Sequence, residues 1–371
     1  MLKPRTAFLF IFILLFAITS FAQSRRVPPP TPTPTPEDIE KVVTEEIKLN
    51  VLAFDPEGKF FSDVKSGDLV INEDNVLHQP SSVRRIPANV VIVMDTGGEM
   101  RQIKSLNQTR ETAKAVANAL REGDQMAVIQ YSDKAEVLLE WTTDKAVVLD
   151  AIGKKSKFGR RSVFVKALGL ASEFLAKTPL ENKHIVLITD GTDSIAGIAE
   201  KEAAIKKILS TDINVHVISY TRMEVTDIEP RAKGIMKTPP PKAMPDEIAA
   251  TLPNGVRGVT TNPPVKVSVN TDRAFIKKMK SRKADLEDSE KQMEKLSTDT
   301  NGEFILPNTF EEMIEKAGLV AQMIDSGYVV TYIPKRPLSE VNGTQERIID
   351  VTSKRPGLLV QAKRKLIVGS Q

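Results

Sequence analysis

Two aspartates stand where a buried sheet would place chemistry. Asp95 follows the apolar run Val90-Val91-Ile92-Val93-Met94, and Asp190 follows Ile185-Val186-Leu187-Ile188-Thr189; each opens a glycine-containing turn, and the first turn carries a further carboxylate, Glu99. Apolar runs of that length read as strands buried on both faces. In an open parallel sheet, the loops leaving the carboxyl ends of such strands flank the crevice where ligands bind. Carboxylates converging on one rim can hold a hard divalent cation, share a proton, or pair with a guanidinium.

Catalytic versions of that pair find little support in the residue types. Asp95-Thr96-Gly97 matches the turn of aspartic proteases, but that chemistry needs two such turns, and Asp190-Gly191-Thr192 has the wrong order. The turn also precedes a helix in an α/β pattern instead of lying in an all-β fold. Three histidines, His78, His184 and His216, lie in or near expected strands, and no Ser-His or Cys-His pair or phosphate-binding glycine loop is present. A metal-dependent hydrolase built on Asp95 and Asp190 is the remaining enzymatic alternative; the reading preferred is not an enzyme.

The elements that must position the pair alternate in type. Helices are expected over 103–120, 144–152, 162–177, 198–209 and 310–326, with strands at 125–131, 136–141, 185–189, 213–220 and 302–306, a doubly wound, mostly parallel α/β fold of the Rossmann-like kind. After Tyr220 the pattern stops for about 50 residues. Residues 221–270 hold eight of the 23 prolines and read as a structureless insertion. A long charged helix follows at 272–296, with the stripe Phe275, Met279, Leu286, Met293 and Leu296; it either packs on its own domain or offers a coiled-coil seam to a partner.

Alternating strands bracket this unit on both sides, at 45–54, 68–73 and 81–85 and again at 328–333, 347–352 and 358–368. Because small sheets need a face to bury against, the flanks at 44–87 and 327–371 are expected to form one antiparallel β-sandwich beside an α/β domain at 88–326.

The ends indicate export. Lys3 and Arg5 precede the apolar residues 7–22, which close on Ser20-Phe21-Ala22, so residues 1–22 read as a signal peptide with Gln23 as the mature start. That stretch falls short of the roughly 20 residues a spanning helix needs, so no membrane insertion is expected after cleavage. Pro-Thr repeats make residues 23–43 a stiff spacer. The chain has no cysteine, and loss of Lys3 and Arg5 lowers its net charge from +4 to +2, too balanced to argue for nucleic acid. A periplasmic or secreted bacterial protein is expected.

Taken in order, the strand-Asp-turn of 90–99, the loop Gly159-Arg160-Arg161-Ser162 and the strand-Asp-Gly of 185–191 resemble the three loops of a von Willebrand factor type A (VWFA) domain. The segment Thr300–Pro307 and the helix after it resemble that family's last strand and helix, and the flanks are similar to exported bacterial VWFA-related proteins. The resemblance implies a protein-binding or adhesion module with a metal-ion-dependent adhesion site for a divalent cation such as Mg²⁺. Its positions would be Asp95, Gly97, Glu99, Ser162 and Asp190. The set is degenerate, since Gly97 and Glu99 stand where the family has serines. Three outcomes stay open: a cation balances the crowded carboxylates, Arg160 and Arg161 compensate their charge, or the rim is inert and the sandwich or the insertion carries the interaction with an unknown protein ligand.

Overall fold

The computed structural model describes residues 45–98, 106–177, 181–238, 245, 248, 250, 251, 253, 266–338, 343, 345–362 and 365–368. The expected signal peptide, the spacer, Glu99, Ile103 and most of 239–265 lie outside the described residues. Alternating apolar residues build the first strand, β1 (Ile47–Phe54), which turns at Asp55-Pro56-Glu57-Gly58; Gly58 takes φ +78°, a conformation that disfavours side chains. Strands β2 (Leu69–Glu73), β3 (Val76–His78) and β4 (Ser82–Arg84) follow.

The chain then enters the α/β unit through β5 (Asn89–Asp95), buried at every position. After it come α1 (Leu106–Ala119), β6 (Gln125–Tyr131), β7 (Ala135–Thr142), α2 (Lys145–Asp150), α3 (Phe164–Ala176), β8 (Lys183–Thr189), α4 (Ile198–Leu209) and β9 (Asn214–Ser219). Next are α5 (Thr221–Ala232), β10 (Ile235–Thr238), β11 (Lys266–Val269), α6 (Arg273–Asp299), β12 (Phe304–Ile305) and α7 (Phe310–Asp325). The six-stranded sheet runs β12-β9-β8-β5-β6-β7, parallel except for β7.

Successive residues of a strand point to opposite faces, so an all-apolar β5 must feed two cores. Val90, Ile92 and Met94 pack with α1 and α7; Val91 and Val93 pack with α3 and the carboxyl-terminal half of α6. This two-sided burial holds the ends of β5 and β8, and hence Asp95 and Asp190, in fixed relation.

Two expectations are revised, and one left open is settled. The stretch after Tyr220 is ordered at its beginning: α5 buries Thr221, Met223, Glu224, Ile228 and Ala232, and β10 pairs antiparallel with β11. Hydropathy missed α5 because two positions of its buried stripe are polar. The stripe of α6 packs on its own chain, with Met293 and Leu296 in the sheet core and Met279, Leu286 and Phe275 against α5. The last expected strand is two, β15 (Leu359–Ala362) and β16 (Lys365–Val368), which join different sheets.

Those last strands, with β13 (Gly327–Tyr332) and β14 (Gln345–Ser353), complete sheets β15-β1-β13-β4 and β16-β14-β2-β3. They share a core that includes Leu49, Val51, Leu69, Ile71, Val330 and Ile349, so the flanks form the expected sandwich. Polar groups join it to the α/β unit. The Asn50 side-chain amide donates to Asn214 Oδ1 at 2.9 Å, and that of Asn301 donates to the Asn50 carbonyl at 3.0 Å, all three residues being buried.

Candidate functional site

Asp95 ends β5 fully buried. Its Oδ1 accepts the Gly97 amide at 3.0 Å, and its Oδ2 accepts the Ser162 hydroxyl at 3.1 Å and the Tyr220 hydroxyl at 2.9 Å. Burial, then the nearby charges of Asp95 and Asp190, push the Tyr220 phenol well above its ordinary pKa, so the phenol remains a donor. Replacing Tyr220 with Phe removes a hydrogen bond to a buried carboxylate; an expected loss of about 1.5–3 kcal/mol in denaturant unfolding checks this contact.

Asp190 directly follows β8 and is also buried. Its Oδ1 accepts the Thr192 amide and hydroxyl, each at 2.7 Å, and its Oδ2 meets the Arg282 guanidinium at 3.0 Å. Arg282 lies in the amino-terminal half of α6 and reaches Glu224 of α5, also at 3.0 Å, and the Thr192 hydroxyl at 2.9 Å. Burial alone would lower the Arg282 pKa, but the Asp190 and Glu224 carboxylates outweigh it and raise the value, so the guanidinium stays charged. Two turns farther along α6, the Ser289 hydroxyl donates to the Asp190 carbonyl at 2.6 Å, fixing helix to rim.

The sequence-derived positions divide clearly. Asp95, Ser162 and Asp190 do come together, and Glu99 lies outside the described residues. Gly97 is compelled by packing: an added Cβ would sit 1.6 Å from the Arg161 carbonyl oxygen, so no serine fits beneath the 159–162 loop. Arg160 and Arg161 are exposed, and their backbone amides donate to Asp133 at 3.3 and 3.0 Å. The guanidinium that meets Asp190 is Arg282 instead. Tyr220, Thr192, Glu224 and Arg282 were missed; only Tyr220, closing a strand on the same rim, carried a readable signal.

The described donor set does not fit a divalent cation. Mg²⁺ needs a near-octahedral shell of oxygens at about 2.0–2.1 Å. Here hydroxyl and amide protons point at the oxygens such an ion would use, and a guanidinium occupies one side of Asp190. Among the described residues no group of three or more His, Cys, Asp or Glu side chains is placed to hold a metal ion. Beside the rim lies a groove of about 550 Å³, lined in part by Ser162, Thr192, Ser194, Lys277, Ser281 and Arg282.

A family model described as the von Willebrand factor type A domain matches residues 90–192, from β5 to just past Asp190. Similar solved structures include an aerotolerance-related membrane protein from Bacteroides fragilis NCTC 9343, 18% identical over 64% of this chain and 98% of that chain, with a TM-score of 0.37. BatB from Bacteroides thetaiotaomicron is 16% identical over 64% and 98% of the two chains, with a TM-score of 0.35. A von Willebrand factor type A protein from Catenulispora acidiphila is 12% identical over 88% and 74%, with a TM-score of 0.41. No curated protein matches.

Proposed function

We propose that this chain, whose residues 90–192 match the von Willebrand factor type A domain model, is an exported, non-enzymatic binding or scaffold module that engages a protein through the Asp95–Ser162–Asp190 rim without a metal ion. Members of the family are generally non-catalytic interaction modules. The observation that carries the metal-free reading is Arg282, whose guanidinium bridges Asp190 and Glu224 and neutralises charge that a cation would otherwise balance.

In this reading residues 88–326 form the binding domain, which includes the proline-rich insertion 221–270, with 44–87 and 327–371 as supporting sandwich. Residues 1–22 direct export and 23–43 space the module from its surroundings. No described helix is long and apolar enough to cross a membrane. Asp190 and Glu224 are paired with Arg282, which suits recognition by hydrogen bonding and shape in the adjoining groove better than capture of an acidic group by a bare cation.

Capture from a cell-envelope extract tests the proposal. The same partner should be retained in EDTA and in Mg²⁺, and lost when Ser281, an exposed groove residue, is replaced by Arg. Retention only in Mg²⁺, or retention undiminished by Ser281→Arg, would contradict it; the second outcome would move the interaction to the sandwich.

A further inference from the structure

Two fully buried histidines lie toward the amino-terminal ends of β8 and β9, away from the rim. His184 Nε2 is 2.9 Å from Asn182 Oδ1, and His184 Nδ1 is 3.0 Å from His216 Nε2. At the far end the Glu303 amide donates to His216 Nδ1 at 3.1 Å. The Asn182 side-chain nitrogen donates to the Ile86 carbonyl at 3.1 Å, which sets its Oδ1 as the acceptor facing His184.

Only one proton arrangement satisfies this chain. The Glu303 amide can only donate, so His216 Nδ1 accepts and its proton sits on Nε2; that proton is given to His184 Nδ1, and His184 donates from Nε2 to Asn182. Both rings are neutral. A proton added to His216 Nδ1 would confront the Glu303 N–H, and one added to His184 Nδ1 would confront the His216 N–H. The charge would also be buried without an opposing partner.

The surroundings offer little compensation. Glu181 is held by Lys48 and Arg84, Asp212 by Lys183, and Asp325 by Arg85 and Arg121. Glu303 contributes its amide, while burial raises the pKa of its carboxyl. The titratable neighbour acting on His184 is His216 itself, which disfavours a second charge beside it. Burial drives His184 well below the ordinary imidazole value, an effect its partner reinforces, and lowers His216 to about 3.

The relay sits at the seam between the two units. Asn182 accepts the Asn89 amide at the entry to β5, and the loop carrying Glu303 also carries Asn301, which binds the Asn50 and Gln361 carbonyls of the sandwich. We propose that the Asn182–His184–His216–Glu303 chain is an acid-sensitive latch: it closes the seam between the α/β unit and the sandwich while both imidazoles are neutral, and acidification releases it.

The direction follows from linkage. An imidazole held neutral in the folded state and ordinary once exposed contributes stability that is complete above about pH 6.5 and falls as the pH drops below it. Each histidine should raise the opened population by up to about tenfold per pH unit in that range.

Hydrogen exchange on the full chain between pH 7 and pH 4.5, corrected for intrinsic exchange rates, should show opening at 182–186, 214–218 and 301–304 ahead of the rim segments. His184→Gln and His216→Gln should each flatten that dependence. Nitrogen-15 spectra of the wild-type histidines should show neutral, Nε2-protonated rings well below pH 6.5, a readout that survives even if the variants fail to fold. Rings that titrate near pH 6.5 in the folded chain, or variants that retain the full pH dependence, would overturn the proposal.

Discussion

Replacing Arg282 with Met is expected to destabilise the chain by about 2–3 kcal/mol and to create a divalent-cation response in the rim. Methionine keeps much of the side chain's length and apolar contact but removes the charge shared by Asp190 and Glu224. Breaking a buried pair costs about 3–5 kcal/mol, and the lower figure here reflects the 26% exposure of the Arg282 side chain. Asp190 and Glu224 would then lose the guanidinium they share, which favours acquisition of a cation by their oxygens. Denaturant unfolding with and without Mg²⁺ checks both parts. A cation at 100 times its dissociation constant would restore about 2.7 kcal/mol to the variant.

Replacing Arg347 with Met is expected to cost more, about 3–5 kcal/mol, because it leaves Glu73 charged inside the sandwich. Both side chains are only 1% exposed. Arg347 also donates to the Arg336 and Pro337 carbonyls at 3.0 and 3.3 Å, tying the segment before β14 to β2. The pair is incompletely satisfied: Glu73 Oε2 and Arg347 Nε have no hydrogen-bond partner among the described residues. An apolar replacement of both should therefore recover most of the loss, so Glu73→Leu with Arg347→Met should lie near wild type. Unfolding of the two single variants and the double variant measures the coupling directly.

The parallel core was readable because its strands advertise themselves. Val90-Val91-Ile92-Val93-Met94 and the run before Asp190 can only be buried twice over, and once they are, their terminal aspartates must share a rim. The flanking sandwich was readable from alternation in β1, β13 and β14. The beginning of the segment after Tyr220 was not, because α5 buries Thr221 and Glu224 for polar contacts that hydropathy counts as surface.

The site was half legible for related reasons. Gly97 showed the loss of an oxygen, but only the close approach of the Arg161 carbonyl shows why no side chain is tolerated there. Arg160 and Arg161 looked suited to compensate charge because they adjoin Ser162; the loop turns their amides to Asp133 and exposes the side chains. Arg282 lies 92 residues from Asp190 in a helix dense with charge, where nothing local separates it from its solvated neighbours. It becomes visible once α6, about 40 Å long, is laid across the rim.

Calorimetric titration of Mg²⁺ into wild type and Arg282→Met, with the shift in melting temperature read in parallel, tests the metal-free rim most directly. Wild type should show neither binding heat nor a shift, whereas Arg282→Met should show both and lose them when Asp190 is also replaced by Asn. Cation binding to wild type, with stabilisation abolished by Asp95→Ala plus Asp190→Ala, would contradict the account.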